Sequence, residues 1–159
     1  GRKLRAILLT HGHNDHINAA IPLRNVTDAP IFLHPADRML WDMVWPNSAP
    51  DYDSLPNDKI CTGVHRLELL HTPGHSPGCC CFYDADSSVI FSGDTLFCDG
   101  PGATGRSFSS ETTILISIYE KILSLPDSTI VHTGHGDSTT IGAERTRILE
   151  MIQSKKIAI

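Results

Sequence analysis

Long apolar runs are absent from this 159-residue sequence, and no stretch approaches the roughly 20 residues that a membrane-spanning helix needs. The first residues also lack the basic and apolar regions of a secretory signal peptide. Cysteine is scarce: there are five, three of them consecutive, and their spacing fits neither a disulfide framework nor a zinc ribbon. We therefore expect a cytoplasmic protein with reduced thiols.

An excess of positive charge is also missing. The formal net charge is −5, so the composition does not steer the protein toward nucleic acid or an anionic membrane. Hydrophobic residues make up 40% of the chain and charged residues 19%, which is ordinary for a globular domain. The length predicts a single domain over residues 1–159 with enough chain to bury a core.

Histidine, in contrast, is plentiful. The chain has nine, and three of them lie in the six residues His11-Gly12-His13-Asn14-Asp15-His16. The apolar run Leu4–Thr10 before this segment predicts a buried strand. The apolar spacing after it predicts a helix, with Asn14 available as N-cap. The histidine cluster is therefore expected on a strand-to-helix loop.

This loop offers ligands in two directions. In an extended backbone His11 and His13 point to the same side, so that one metal ion can bind both. Asp15 and His16 turn away with the first helical turn and can bind a second ion. The spacing differs from the zinc-protease pattern of two histidines four residues apart on a helix.

Three further ligand candidates follow predicted strands. His75 lies in a turn rich in proline and glycine, Asp94 follows an apolar strand that ends in glycine, and His135 follows the strand Ser128–Thr133. Each stands beside glycines that let the backbone approach a ligand closely. Four separate strand-end loops that carry His or Asp are hard to explain by chance.

Together these segments resemble the metallo-β-lactamase superfamily. The sequences HTPGHSPG, FSGDTLF and TGHGDSTTIGAE resemble its glyoxalase II-like branch, and the likeness extends from about Leu4 to the start of the helix near Thr139–Glu144. The resemblance implies an α/β fold, an αββα sandwich with mixed sheets. Family members usually carry several strands before the point where this sequence starts, so residues 1–159 are expected to be one N-terminally truncated domain of this type.

The resemblance also implies a dinuclear centre with seven ligands: His11, His13 and His75 on one metal; Asp15, His16 and His135 on the other; and Asp94 bridging the two. It implies two Zn²⁺ per chain, with iron or manganese as alternatives, and imidazole and carboxylate ligands suit zinc. A hydroxide that bridges the metals would be the nucleophile. Asp15 would orient this hydroxide and is the candidate catalytic residue.

Other polar residues have more ordinary interpretations. The remaining histidines are expected in loops or behind the ligands, and His132 is the strongest candidate for supporting a ligand. The run Cys79–Cys81 is expected to pack in a strand, and Cys98 is expected to be structural. Arg106 has two readings: it binds a substrate carboxylate, or it anchors the glycine loop through a buried ion pair.

Periodicity and turn residues predict the remaining elements. We expect a surface loop over 47–58, a glycine loop over 100–105 and, in order, a strand at Ala29–His34, a helix at Pro35–Val44, a strand at Val64–Thr72, a hairpin of Cys79–Tyr83 with Ser88–Phe91, a helix at Glu111–Leu125 and a helix at Thr140–Lys155.

Hydrolysis of a small acyl-thioester, as in glyoxalase II, is the first functional hypothesis. The second is a mononuclear iron dioxygenase acting on a persulfide, which shares much of the ligand set, and the third is an inactive fragment that serves as a binding module. β-Lactam hydrolysis is less favoured, because a bridging Asp94 resembles the hydrolase branches. Nucleic-acid processing is disfavoured because only 40 residues separate Asp94 from His135.

The sequence does not identify the thiol half of the substrate. Glyoxalase II continues into a helical domain with basic residues that bind glutathione, whereas only 24 residues follow His135 here. Another thiol carrier fits equally well. The oligomeric state has no sequence signal.

Overall fold

The computed structural model describes residues 1, 3–55, 59–63 and 65–159. The helices are α1 (Asn14–Ile17), α2 (Ala20–Thr27), α3 (Arg38–Val44), α4 (Glu111–Ser117) and α5 (Ile141–Ser154). The strands are β1 (Ile7–Leu8), β2 (Ile31–Leu33), β3 (Tyr52–Asp53), β4 (Lys59–Thr62), β5 (His65–His71), β6 (Cys80–Asp84), β7 (Val89–Gly93), β8 (Leu96–Phe97), β9 (Gly100–Pro101), β10 (Ile130–Thr133) and β11 (Thr139–Thr140). A 3₁₀ turn, Pro35–Asp37, leads into α3, and a π-helical turn, Ile118–Ile122, extends α4.

Two sheets form the inner layers. The small sheet has the order β1-β2-β3 and is parallel. The large sheet has the order β11-β10-β7-β6-β5-β4; only the β10–β7 pair is parallel. Strands β8 and β9 form a separate short hairpin. The predicted mixed α/β sandwich is confirmed.

Alternation along β6 divides the core between the two faces of the large sheet. Cys81 packs with Ile90 and Val131 against α4 and α5, whereas Cys80 and Phe82 pack with Leu69 and Leu8 between the sheets. A third cluster joins the small sheet to the flanking helices around the fully buried Trp41. The layers therefore run helix, sheet, sheet, helix.

The consecutive cysteines serve packing, as predicted. Cys79, Cys80 and Cys81 are at most 1% exposed. Burial raises the pKa of Cys79 to about 12 and that of Cys81 to about 11, so both thiols stay protonated and unreactive at neutral pH.

Several predicted boundaries were wrong. The first helix begins at Asn14, but its N-cap is the extended His13, which makes no side-chain capping bond. The loop predicted over 47–58 contains β3, because Tyr52 pairs with Phe32 of β2 and stacks on its ring. Residues 56–58 and 64 of the predicted segments lie outside the described residues. Strand β4 was missed, because its four residues carry little apolar pattern.

The small sheet covers only part of the large-sheet face that it packs against. Phe82 and Phe91 are direct cross-strand partners on the same face, yet Phe82 is 3% exposed and Phe91 is 43% exposed. Ile130, one strand further along, is 42% exposed. The small sheet therefore covers the β5–β6 side of this face and leaves the β7–β10 side open.

Within the described part of the chain, no helix is long and apolar enough to cross a bilayer.

The contrast between Phe82 and Phe91 predicts different effects for matched substitutions. Phe82→Ala should lower the free energy of unfolding by about 3–5 kcal/mol, because it opens a cavity between the sheets. Phe91→Ala should cost only about 1 kcal/mol, because much of its ring is already in water. Urea denaturation of both variants checks this. Equal losses would show that Phe91 is covered in solution.

Candidate metal centre

Four loops that follow β1, β5, β7 and β10 meet at one edge of the sheets. Backbone hydrogen bonds tie them in pairs: the Cys80 amide donates to the Thr10 carbonyl over 2.8 Å, and the Gly134 amide donates to the Gly93 carbonyl over 2.8 Å. The ends of neighbouring strands place these loops side by side. All seven predicted ligands lie here.

One group of ligand atoms is largely buried. Atoms of His11, His13 and His75 all lie within 4.8 Å of one another, and His13 Nδ1 is 2.9 Å from His75 Nε2. His11 is 0% exposed, and its Nε2 has no hydrogen-bond partner among the described residues. We name these three residues the inner group.

A second group lies nearer to solvent. His16 Nε2 is 3.1 Å from His135 Nε2, and His135 Nε2 is 3.1 Å from Asp15 Oδ2. The side chains of Asp15 and His135 are 60% and 55% exposed, whereas that of His16 is 13% exposed. We name these three residues the outer group.

Asp94 stands between the groups. Its Oδ1 is 3.3 Å from His16 Nε2 in the outer group, and its Oδ2 is 3.4 Å from His75 Nε2 in the inner group. Within the part of the chain that the structure describes, the buried Oδ1 has no partner in hydrogen-bond geometry. Oδ2 also lies 3.8 Å from His135 Nε2 of the outer group, so the carboxylate contacts both groups.

The protonation states suit metal binding. Burial, reinforced by the neighbouring His16, lowers the pKa of His11 to about 2. Burial and His75 also lower the pKa of His13. Burial acts to raise the pKa of Asp94, but the adjacent imidazoles of His16, His11 and His75 outweigh it and lower the pKa. Neutral imidazoles and an ionised carboxylate are the forms that coordinate metals.

The spacing also fits a cation in each group. Ligands about 2.1 Å from a tetrahedral zinc ion lie roughly 3.4 Å from one another. The separations of 2.9–3.4 Å between the facing atoms are close to this value. His11 Nε2 and Asp94 Oδ1 are buried and have no hydrogen-bond partner among the described residues, which is energetically unfavourable. A cation in each group would provide both atoms with a partner.

Neighbouring backbone fixes two of these ligands. His75 Nδ1 lies 2.7 Å from the Ala103 carbonyl; a proton donated there leaves Nε2 free to face the inner group. Gly134 lies against Asp94, and a Cβ at that position would collide with Asp94 Oδ1. The glycine loop and the loop before His135 are thus part of the site.

Three other candidates lie outside the two groups in the described part of the chain. Arg106 is exposed, and the guanidinium has no ion pair in the described ranges, so the buried ion-pair reading is wrong. Cys98 is exposed. His132 Nδ1 lies 2.9 Å from Ser138 Oγ and its ring lies beside Phe91, so it supports the loop around His135.

The other histidines are also explained. His34 and His71 stack with ring centroids 4.1 Å apart, and His71 bonds the Pro77 carbonyl. His65 pairs with Asp84 over 2.8 Å. Among the described residues none of the three belongs to a metal-binding group.

Sequence reasoning missed Asp37. It was interpreted only as part of a helix start, yet it is 0% exposed and bonds the amides of Gly12 and Gly78 beside the inner-group ligands. An acidic residue at a helix start is common, so nothing in the local sequence distinguished it.

Comparison with known proteins gives a consistent result. The family model for the Metallo-beta-lactamase superfamily matches residues 1–135. A probable metallo-hydrolase, YqgX of Bacillus subtilis, is 37% identical over 152 residues, which cover 88% of this chain and 72% of YqgX. Hydroxyacylglutathione hydrolase GloC of Haemophilus influenzae is 35% identical over 156 residues, 89% of this chain and 73% of GloC.

Solved structures agree with these relatives. The B3 metallo-β-lactamase BLEG-1 is 36% identical with a TM-score of 0.81, over 89% of this chain and 74% of that one. TTHA1623 in a di-iron-bound form is 39% identical with a TM-score of 0.71, over 88% and 74%. ETHE1 from Myxococcus xanthus is 26% identical with a TM-score of 0.76, over 90% and 60%. From the family match, these relatives and the fold, we conclude that this chain belongs to the metallo-β-lactamase superfamily, in its glyoxalase II-like branch.

Proposed function

We propose that the protein hydrolyses small acyl-thioesters with two divalent cations, Zn²⁺ in the first instance, held by the inner and outer groups. The observation that carries the proposal is Asp94, whose carboxylate lies within 4 Å of His75 in the inner group and of His16 and His135 in the outer group, while its buried Oδ1 lacks a partner among the described residues. A carboxylate shared in this way offsets the repulsion between two adjacent cations.

Individual residues have distinct roles in the proposed reaction. The bound cations would polarise the scissile carbonyl and acidify a water molecule. His11, His13 and His75 would hold the first cation, and Asp15, His16 and His135 the second. Asp15 turns Oδ2 toward His135, and the other oxygen can accept a hydrogen bond from the attacking water and orient it.

The surroundings of the outer group favour a substrate with an apolar part and a charge. The ring of Phe97 lies nearly parallel to that of His135, with centroids 6.3 Å apart, and forms an apolar wall beside the exposed ligand. Arg106 lies on the segment that follows Ala103, whose carbonyl bonds His75. We therefore propose Arg106 as the group that receives a substrate carboxylate.

The likeness to GloC supports a thioester as the cleaved bond. The thiol half is proposed more broadly, as any small thiol carrier. All five cysteines are free in the structure, which suits the reducing cytoplasm that we propose as its location.

The test is a substrate panel on zinc-reconstituted protein. Acyl-thioesters of several thiols should be hydrolysed with saturable, chelator-sensitive rates. A nitrocefin-type β-lactam is the first comparison, because BLEG-1 is a B3 metallo-β-lactamase of 36% identity. Turnover of the β-lactam with no turnover of any thioester would replace the proposal by β-lactam hydrolysis.

Iron chemistry on a persulfide is the second candidate. The di-iron-bound form of TTHA1623, at 39% identity, favours iron, and the inner group by itself offers three histidines, two of them buried, which are enough for one ion. Iron-reconstituted protein and a small persulfide, followed with an oxygen electrode, would distinguish it. Stoichiometric oxygen uptake with one metal per chain would exclude the thioester proposal, and binding without any turnover would indicate a binding module.

The metal count predicts the effect of removing Asp94. Asp94→Ala should lose at least one of two bound metals and lower thioester turnover by a factor of about 10³ or more, because a partner of both groups disappears. Plasma emission spectrometry after gel filtration measures the metals. Asp99→Ala and Cys98→Ala, on the following exposed turn, are the matched controls and should retain both. Two tightly bound metals in Asp94→Ala would exclude the bridging role.

The substrate charge predicts the effect of removing Arg106. Arg106→Ala should raise the KM for a carboxylate-bearing thioester about tenfold, because a charge-assisted hydrogen bond contributes roughly 1.5–3 kcal/mol. A neutral thioester of matched size is the control, and its KM should stay constant. Equal changes for both substrates would remove the carboxylate preference.

A further inference from the structure

Asp37 is buried at the junction of the two loops that supply the inner group. It is 0% exposed, and it is both the last residue of the 3₁₀ turn and the N-cap of α3. Its Oδ2 accepts hydrogen bonds from the Gly12 amide over 2.8 Å and from Ser76 Oγ over 2.6 Å. Its Oδ1 accepts one from the Gly78 amide over 2.6 Å. These donors come from the His11–His13 loop and from the loop that contains His75.

The Asp37 side chain makes no capping hydrogen bond to α3. Asp37 is the N-cap residue of α3, a position where an aspartate side chain normally accepts a hydrogen bond from the first turn. Here that capping bond is absent, since both oxygens are directed to the ligand loops. Asp37 therefore contributes its hydrogen bonds to the loops rather than to its own helix.

The two loops approach Asp37 so closely that positions 12 and 78 leave little room for a side chain. A Cβ on Gly78 would lie 2.7 Å from Asp37 Cγ, and a Cβ on Gly12 would lie 3.0 Å from Asp37 Cβ. Glycine at both positions lets the two amides reach the carboxylate. The three short hydrogen bonds define the separation of the loops.

We propose that Asp37 is a positioning residue that sets the geometry of the inner group and leaves the outer group largely unaffected. The three residues of the inner group flank its donors: His11 and His13 on either side of Gly12, and His75 next to Ser76. Of the outer group, Asp15 and His16 lie in α1, which follows the His11–His13 loop, and His135 lies on a separate loop, to which Asp37 makes no hydrogen bond among the described residues. The inference rests on the metal binding in the proposed function, and not on the thioester chemistry.

The informative variant is Asp37→Asn. The amide keeps the shape of the carboxylate, but it has one acceptor oxygen for donors on both sides. At least one of the Gly12 and Gly78 amides then faces an NH₂ group and loses its partner. Asp42→Asn is the matched control, because Asp42 lies on the same helix and pairs only with the exposed Arg38 in the described structure.

The two groups can be titrated separately with Co²⁺, whose visible absorption reports coordination. His135→Ala protein presents the inner group, and His75→Ala protein presents the outer group. Adding Asp37→Asn should weaken cobalt binding by the inner group by about 10–100-fold, the usual effect of removing a supporting hydrogen bond. Binding by the outer group should change less than about threefold, and Asp42→Asn should change neither.

Ser76→Ala provides a second variant in case Asp37→Asn fails to fold. It removes the hydrogen bond to Asp37, together with the weaker one to Cys79 Sγ, and keeps the buried carboxylate. It should therefore weaken cobalt binding by the inner group several-fold without affecting the outer group. Unchanged affinities in a folded Asp37→Asn or Ser76→Ala protein, or equal losses in both groups, would overturn the inference. No cobalt binding by the unmodified protein would instead remove the proposed function.

Discussion

The convergence of imidazole nitrogens and carboxylate oxygens at one edge of the fold is the constraint on which the rest of this structure depends. Pairs of imidazole nitrogens lie 2.9 and 3.1 Å apart, with a carboxylate between the pairs. Two lone pairs at that distance repel each other unless a proton or a cation lies between them. Burial disfavours a second proton on His11, whose pKa falls to about 2. Its Nε2 and Asp94 Oδ1 have no hydrogen-bond partner among the described residues. The fold therefore holds together polar atoms that a cation would satisfy, and it must supply the energy to do so.

That energy comes from the backbone around the ligands. The loops are tied by amide hydrogen bonds at Thr10–Cys80 and Gly93–Gly134, and Ala103 fixes the ring of His75. Glycine at position 134 allows Asp94 to approach, because any side chain there would displace the carboxylate. The ligands are thus set by strand ends and close backbone contacts, and rigid supports of this kind make a site precise.

The fold and the candidate site differ in how much of each can be predicted from the sequence. The hairpin of β6 and β7 and the long helix α5 follow from apolar periodicity, and the structure has both. Strands β3 and β4 do not, because two or four polar-rich residues become strands only through their partners. Asp37 was invisible for a related reason: its donors are 25, 39 and 41 residues away in the chain, and no local pattern encodes them.

The placement of the seven candidate ligands on four separate loops has a consequence for the stability and lifetime of the protein. A cation bound there joins segments from residue 11 to residue 135, so binding favours the folded chain over the unfolded one. At a free metal concentration 100 times the dissociation constant, this linkage contributes about 2.7 kcal/mol per site. When metal is scarce, the loops open more often and proteases reach them. The supply of metal would then govern how long each copy survives as well as how fast it works.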